Sequence, residues 1–244
     1  MDNYKTLAKD YEFLDPKKEI FKQESFFKKL IKKYSIKSCL DCACGTGWHL
    51  FMFKKLGLDC FGSDLSKVML KQARKNLKGK RIPLKQEDFR KLSKSWKRKF
   101  DMIVFLTTSL PHMLTDKDTI VALKSTYGRL NDNGILVISN GISDSLLNNK
   151  PRFFPARILK NHAFYFLLEY PNPKRVIFNI IQVKKIKDSF KHSYDVIDYN
   201  AMRRSVLKRC FAKTKFRKMD YFGDYNFSKY STKKSKRLIV IAQK

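Results

Sequence analysis

Between residues 37 and 141 the chain alternates short apolar runs with segments whose apolar residues recur at helical spacing, and no other feature restricts its fold as much. "KSCLDCA" is followed by "GWHLFMFKKLG", "LDCFGSD" by "SKVMLKQARKNL", and "FDMIVFLTT" by "DKDTIVALKSTYGRL", before "GILVISNG" closes the series. Strand and helix in turn require a parallel sheet with crossover helices. Ahead of the series, "KKEIFKQESFFKKLIKKY" places Phe27, Leu30, Ile31 and Tyr34 on one face and predicts an amphipathic helix.

The alternation stops after residue 150. "FYFLLEY", "RVIFNIIQVKKI" and "FKHSYDVIDY" follow one another with only "PNPK" and "KDS" turns between them, so these strands must be antiparallel and look inserted. A helix returns in "AMRRSVLKRCFA", and "KFRKMDYFG" and "RLIVIAQ" are expected to close the sheet edge.

A chain of 244 residues with 43% hydrophobic content suits one α/β domain with an elaboration. It holds no run of about 18 apolar residues and begins with a polar stretch, which predicts a soluble, cytoplasmic protein. Five cysteines, four of them between Cys39 and Cys60, do not form the dispersed even set of a secreted disulfide framework and point to a reducing compartment. The net charge of +31 attracts anions: residues 66–100 hold 14 basic and 2 acidic side chains, and residues 201–244 hold 14 and 2. Charge alone assigns no partner.

The turn "LDCACGTG" over residues 40–47 offers either thiols for a metal or glycines for a nucleotide. Cys39, Cys42 and Cys44 supply three thiolates where a closed zinc site needs four, and no second Cys or His pair lies nearby, so packed thiols and no metal are expected. Gly45, Thr46 and Gly47 lie between a strand and a helix, where small residues let a ligand approach the backbone. A dinucleotide fingerprint would place glycine at 43, 45 and 48, whereas the chain has Ala43, Gly45 and Trp48.

The spacing of Asp41, Ala43, Gly45 and Gly47 instead resembles motif I of class I S-adenosylmethionine-dependent methyltransferases. Two later features support the resemblance. Asp64 ends the second strand, where a carboxylate can accept from both ribose hydroxyls, and Asp88 with Phe89 in "QEDFRKL" resembles the adenine site. The likeness reaches the glycine/sarcosine N-methyltransferase-like branch through "YKTLAKDYEFLDP", "LTTSLPHM", "SDSLLNNKPRFFPAR" and "YFGDYNFSKYSTKKSKRLIVIAQ". It implies an α/β, Rossmann-like class I methyltransferase sheet, mostly parallel, with seven strands, an antiparallel edge and an inserted antiparallel β cap. The expected organisation is a single domain over 1–244, with a helical lid (1–36), a cofactor-binding core (37–149), a substrate cap (150–200) and a closing helix and strands (201–244).

The resemblance implies S-adenosyl-L-methionine as cofactor. Its expected contacts are Asp41, Ala43, Cys44, Gly45 and Gly47 in the first turn, Asp64, Leu65 and Met69 at the second strand, then Asp88, Phe89 and Leu106. Tyr11 is expected to fold over the sulfonium and Lys22 to meet the cofactor carboxylate. His112, after the fourth strand, is the candidate for proton handling, and Tyr4, Arg152 and Arg157 are candidates for holding a substrate, the arginines through a carboxylate. Where the branch often carries Asn-Tyr-Asp, this chain has Ile142, Ser143 and Asp144.

The expected acceptor is a small, anionic, amino-acid-like amine. "LTTSLPHM" lacks both the Asn-Pro-Pro-Tyr of exocyclic base methylation and the Pro-Cys of pyrimidine C5 methylation. Methylation of RNA ribose and a non-catalytic cofactor-binding subunit are the alternatives. Nonspecific RNA binding through the basic surface is expected, and no membrane association.

Overall fold

The computed structural model describes residues 7–244. Its first helices are α1 (Tyr11–Leu14), α2 (Lys17–Phe21) and α3 (Glu24–Lys33). The single helix expected over this stretch is divided at Lys22 and Gln23. Their amides bond to carbonyls three residues back, at 3.3 and 3.0 Å, and this tightened turn separates α2 from α3.

Strands β1 (Ser38–Asp41), β2 (Asp59–Asp64), β3 (Leu84–Gln86), β4 (Phe100–Phe105) and β5 (Leu130–Asn140) are connected by helices α4 (Trp48–Lys55), α5 (Lys67–Asn76), α6 (Leu92–Ser95) and α7 (Asp116–Arg129). After β5 come α8 (Asp144–Asn149) and a four-stranded meander: β6 (Phe153–Leu159), β7 (His162–Asn172), β8 (Arg175–Ile186) and β9 (Ser189–Asn200). Helix α9 (Arg204–Phe211) and strands β10 (Met219–Phe222) and β11 (Leu238–Gln243) complete the chain.

The main sheet has the order β10-β11-β5-β4-β1-β2-β3. Strands β1 to β5 are parallel, and β11 runs antiparallel between β5 and β10. This is the expected mostly parallel, seven-stranded sheet with its antiparallel edge. Every residue of β1 is buried, as a strand covered on both faces must be. Cys39 faces a layer built by Phe27, Leu30, Phe53 and Leu70, while Leu40 faces one built by Leu92, Leu123, Leu207 and Phe211. Helices α3, α4 and α5 thus cover one face, and α6, α7 and α9 the other.

The second sheet runs β6-β7-β8-β9, all antiparallel. Its first strand was not expected, because Pro155 interrupts "FFPARIL" and cannot donate to a ladder. An edge strand tolerates proline, and β6 is an edge with an irregularity between Pro155 and Arg157. The inner face packs Phe164, Leu168, Val176, Ile180 and Ile197 against Leu7, Ile142 and Leu147. Among the described residues no helix is long and apolar enough to cross a membrane.

Candidate active site

The parallel strands end at one cavity of about 720 Å³. Its floor is the turn after β1. Asp41 is buried and accepts the Ala43 N–H at 3.1 Å, which turns the chain sharply at the strand end. Burial pushes the Asp41 carboxyl up to about 7, with Asp64 adding to the shift and the Ala43 amide opposing it. Gly45 (φ +53°) and Gly47 (φ +88°) both adopt left-handed backbone. A Cβ on Gly45 would meet nothing within 4 Å, so this position lies open to the cavity. A Cβ on Gly47 would lie 2.9 Å from Leu77 Cδ1, so this glycine serves the packing of α5 and does not line the cavity.

Asp64 binds the turn to the end of β2. Its Oδ2 accepts the Gly45 N–H and its Oδ1 the Ser66 N–H, both at 2.8 Å, while Ser66 Oγ caps α5 by accepting from Met69 N–H. The helix is therefore capped by Ser66, and Asp64 faces the cavity beside Leu65 and Met69. Asp88 and Phe89 line the next stretch of wall. Burial would raise the Asp88 carboxyl, but the Arg90 guanidinium, 2.6 Å away, holds it below the usual range. Arg90 also bonds Asp118 at 2.9 Å, and Phe89 lies edge-on to Phe105.

Beyond β4 the wall is Leu106, Thr107, Ser109 and His112. Thr107 (φ +52°) and Thr108 (φ +65°) occupy left-handed backbone that β-branched residues avoid. The conformation is held by Thr108 N–H to Ser139 O at 3.0 Å and by Gly141 N–H to Thr108 Oγ1 at 2.9 Å. The His112 ring lies 4.7 Å from that of Tyr199 on β9, and burial lowers its pKa to about 4. It is therefore a neutral base at neutral pH.

Tyr11 and Asp15 reach the cavity from the N-terminal segment. Burial pushes the Asp15 carboxyl above its usual range, against the opposing pull of Arg237 and the Thr107 hydroxyl. This segment is fastened on two sides. Glu12 accepts from Gln72 and Asn76 of α5, while Asp10 pairs with Lys184 and Phe13 packs on His162 of the second sheet. The segment thus spans the cavity mouth between the two sheets.

Several expected contacts lie elsewhere. Lys22 is exposed and pairs with Glu19 at 2.7 Å, outside the cavity. Arg152 is exposed and Arg157 half-buried; neither lines the cavity, although the Arg157 charge acts on Asp15 and Glu19. Asp41 supports the floor from behind, whereas Ala43 and Cys44 line it. Asp144 is buried, accepts from Tyr230 Oη–H at 2.6 Å and Arg204 N–H at 3.0 Å, and is structural. Tyr4 lies outside the described residues. Sequence reasoning missed Asp15, Thr107, Trp48 and Ser109, which line the cavity, and Tyr199, which packs on His112. Only Asp15, in "FLDP", had a local signal, as a carboxylate ahead of a helix-starting proline.

All five cysteines are free and buried, with Cys39 Sγ 3.6 Å from Cys60 Sγ. Among the described residues no group of His, Cys, Asp and Glu is arranged to hold a metal ion.

Comparison with known proteins identifies the group of proteins to which this site belongs. A family model described as a methyltransferase domain matches residues 39–134. The glycine/sarcosine N-methyltransferase of Parasynechococcus marenigrum (strain WH8102) is 34% identical over 207 residues, which span 82% of this chain and 70% of that protein. The chain is an S-adenosylmethionine-dependent methyltransferase. It belongs to the glycine/sarcosine N-methyltransferase-like branch, and its cofactor is S-adenosyl-L-methionine. An S-adenosylmethionine-dependent methyltransferase from Clostridium acetobutylicum shares the fold, with a TM-score of 0.84 over 98% of both chains at 18% identity. So does a sugar N-methyltransferase from Streptoalloteichus sp, with a TM-score of 0.76 over 96% of this chain and 92% of that one at 17% identity.

The residues present fit this cofactor. The Asp64 carboxylate faces the cavity beside apolar Leu65, Phe89 and Leu106, and Gly45 leaves its wall open. Trp48 Nε1 and Ser109 Oγ are buried there without a hydrogen-bond partner among the described residues, so the wall holds polar atoms that a bound molecule can satisfy.

Proposed function

We propose that this enzyme methylates the nitrogen of a small amine whose recognition does not depend on a carboxylate. S-adenosylmethionine supplies an activated methyl group on a sulfonium together with its leaving group. The protein's task is alignment, exclusion of water and delivery of an unprotonated nitrogen. Asp64 holds the ribose hydroxyls, Leu65, Phe89 and Leu106 enclose the adenine, and Gly45 leaves room at the turn. Tyr11 and Asp15 close the site from the N-terminal segment. His112, kept neutral by burial, can orient the amine by accepting a hydrogen bond from it, while its lowered pKa leaves the released proton to pass to solvent.

The charge of the cavity wall carries the choice of acceptor. Asp15, Asp64, Glu87, Asp88 and Asp118 line it, against Lys67 and an Arg90 already paired with two of these carboxylates. With Asp64 turned to the cofactor and Arg90 paired to Asp88 and Asp118, no unpaired arginine lines the cavity among the described residues, which favours a neutral or cationic amine over an anion that would need such a partner. The arginines expected to clamp a carboxylate do not reach the cavity, which turns the reading from an anionic acceptor toward a hydroxylated amine such as an amino sugar. The 34% identical relative favours glycine or sarcosine as the second reading.

The test is methyl transfer from labelled S-adenosylmethionine to a panel of amino sugars, simple amino alcohols, glycine and sarcosine, with products identified by mass spectrometry. N-methylated products from acceptors without a carboxylate, at higher kcat/KM than glycine, are expected. A preference for glycine or sarcosine establishes the second reading, and label in RNA with no labelled amine overturns both.

A further inference from the structure

The outer face of the second sheet carries a surface unlike the rest of this chain. Strand register aligns its outward residues in three neighbouring cross-strand rows: Phe153, Leu167, Asn179 and Val196; Pro155, Tyr165, Ile181 and Tyr194; Ile158, Ala163, Val183 and His192. None of these positions is acidic or basic apart from His192, although 31% of the chain is charged and its net charge is +31. Phe153 and Tyr194 are 57% exposed, Ile158 63% and Val196 48%. The lone amide is satisfied in place, since Asn179 Nδ2 donates to Glu169 at 2.7 Å and to Leu167 O at 3.1 Å, and Tyr194 Oη–H donates to Asn179 Oδ1. The inner face of the same sheet is filled by the protein's own core.

We propose that this face is where two copies of the chain meet, sheet against sheet about a two-fold axis. Size, charge and symmetry all support a second copy. The three rows span about five residues of each strand, and with the flanking rows at Glu169 and Lys185 the face covers four strands about 4.8 Å apart over about nine residues at about 3.3 Å each, roughly 19 by 30 Å. That is about 600 Å² in projection and more with the relief of side chains, close to the ~800 Å² per partner of a stable interface. Elsewhere two such basic chains repel each other, and this face lets them approach without opposing lysines.

The charges at its two ends are also self-complementary. Glu169 and the paired Arg175 and Asp198 lie beyond one end of the rows, and Lys185 beyond the other. A two-fold axis in the sheet plane, across the strands at Ile181, sets Lys185 of each copy toward Glu169 of its partner. An acidic lipid surface is a poorer fit, because Glu169 and Asp198 would face its headgroups.

Sedimentation of the full chain at micromolar concentration tests this against an Ile158→Lys, Val196→Lys double variant and each single variant. Ile158 is 63% and Val196 48% exposed, so far-UV circular dichroism and thermal melting should match the parent. The parent is expected as two chains and the double variant as one. An Ile181→Cys variant should also cross-link to itself with a short bis-maleimide, because the native cysteines are buried. A parent that sediments as one chain overturns the proposal, and if it then binds phosphatidylcholine/phosphatidylglycerol vesicles the face is a membrane surface. A folded double variant that remains paired, with no cross-link at position 181, overturns it too. Should the double variant fail to fold, the single variants and the cross-link decide.

Discussion

The Gly45 N–H donates to Asp64 Oδ2 at 2.8 Å, so the carboxylate proposed to hold the ribose also fixes the turn beside it. An Asp64→Ala substitution removes both interactions. Cofactor affinity should fall by about 1 to 3 kcal/mol, as when a hydrogen bond to a charged group is lost. Calorimetric titration with S-adenosylmethionine checks this, and unchanged affinity would take Asp64 out of the site.

Two glycines should separate binding from folding. Gly45→Ala places a methyl group where the protein has no atom within 4 Å, at the expense of left-handed backbone strain of about 1 to 2 kcal/mol. It should keep a cooperative melt yet lose cofactor affinity. Gly62→Ala would bring a Cβ within 2.5 Å of Leu50 Cδ1 and 2.7 Å of Leu84 Cδ2, so overpacking of about 1 to 3 kcal/mol should appear in the melting temperature.

His112 gives stability a pH dependence of predictable sign. Its folded pKa is lowered by burial to about 4 from 6.5, so below about pH 6.5 the unfolded chain takes up a proton that the folded chain refuses. Its contribution is complete above pH 6.5 and declines as pH falls toward 4. Asp41, raised to about 7 from 3.8, acts oppositely, contributing fully below pH 3.8 and losing that contribution as pH rises to 7. Melting curves between pH 4.5 and 7 should show a weaker acid loss for His112→Gln and a stronger one for Asp41→Asn. A His112→Gln profile identical to the parent would contradict the assigned shift.

The consecutive left-handed threonines after β4 predict a conflict between stability and activity. Thr107→Gly relieves a strain of about 1 kcal/mol or more but frees the backbone and removes the hydroxyl facing Asp15. Melting temperature should hold or rise slightly while kcat falls at least about tenfold, a loss of about 1.4 kcal/mol. Full activity in this variant would show that the strained backbone has no catalytic purpose.

The thiols provide a check on the turn. Burial raises Cys39, Cys42 and Cys44 well above the ordinary thiol range, so they should resist alkylation at pH 8 in the folded protein. All five cysteines should react in denaturant. Chelation should leave the melt unchanged, and stoichiometric zinc or rapid native labelling would refute this reading.

What the sequence determined by itself was local. Asp41, Gly45, Gly47 and Asp64 could be read because a strand end, a left-handed turn and a helix start impose residue types at short spacing, and the strand–helix alternation implied the main sheet for the same reason. Tertiary structure decided what depended on distant partners. Lys22 had the right charge but is exposed beside Glu19, while Asp15 reaches the cavity because Glu12 is fastened to α5 and Asp10 to Lys184. Arg157 lies on an edge strand that Pro155 concealed and Arg152 just before it, both outside the cavity they were expected to serve. Nor could local pattern show that Thr107 and Thr108 turn left-handed, a conformation maintained by Ser139 and Gly141 more than thirty positions away. Backbone propensity acts between neighbours in sequence, whereas burial and charge act between neighbours in space, and only the folded chain specifies the second set.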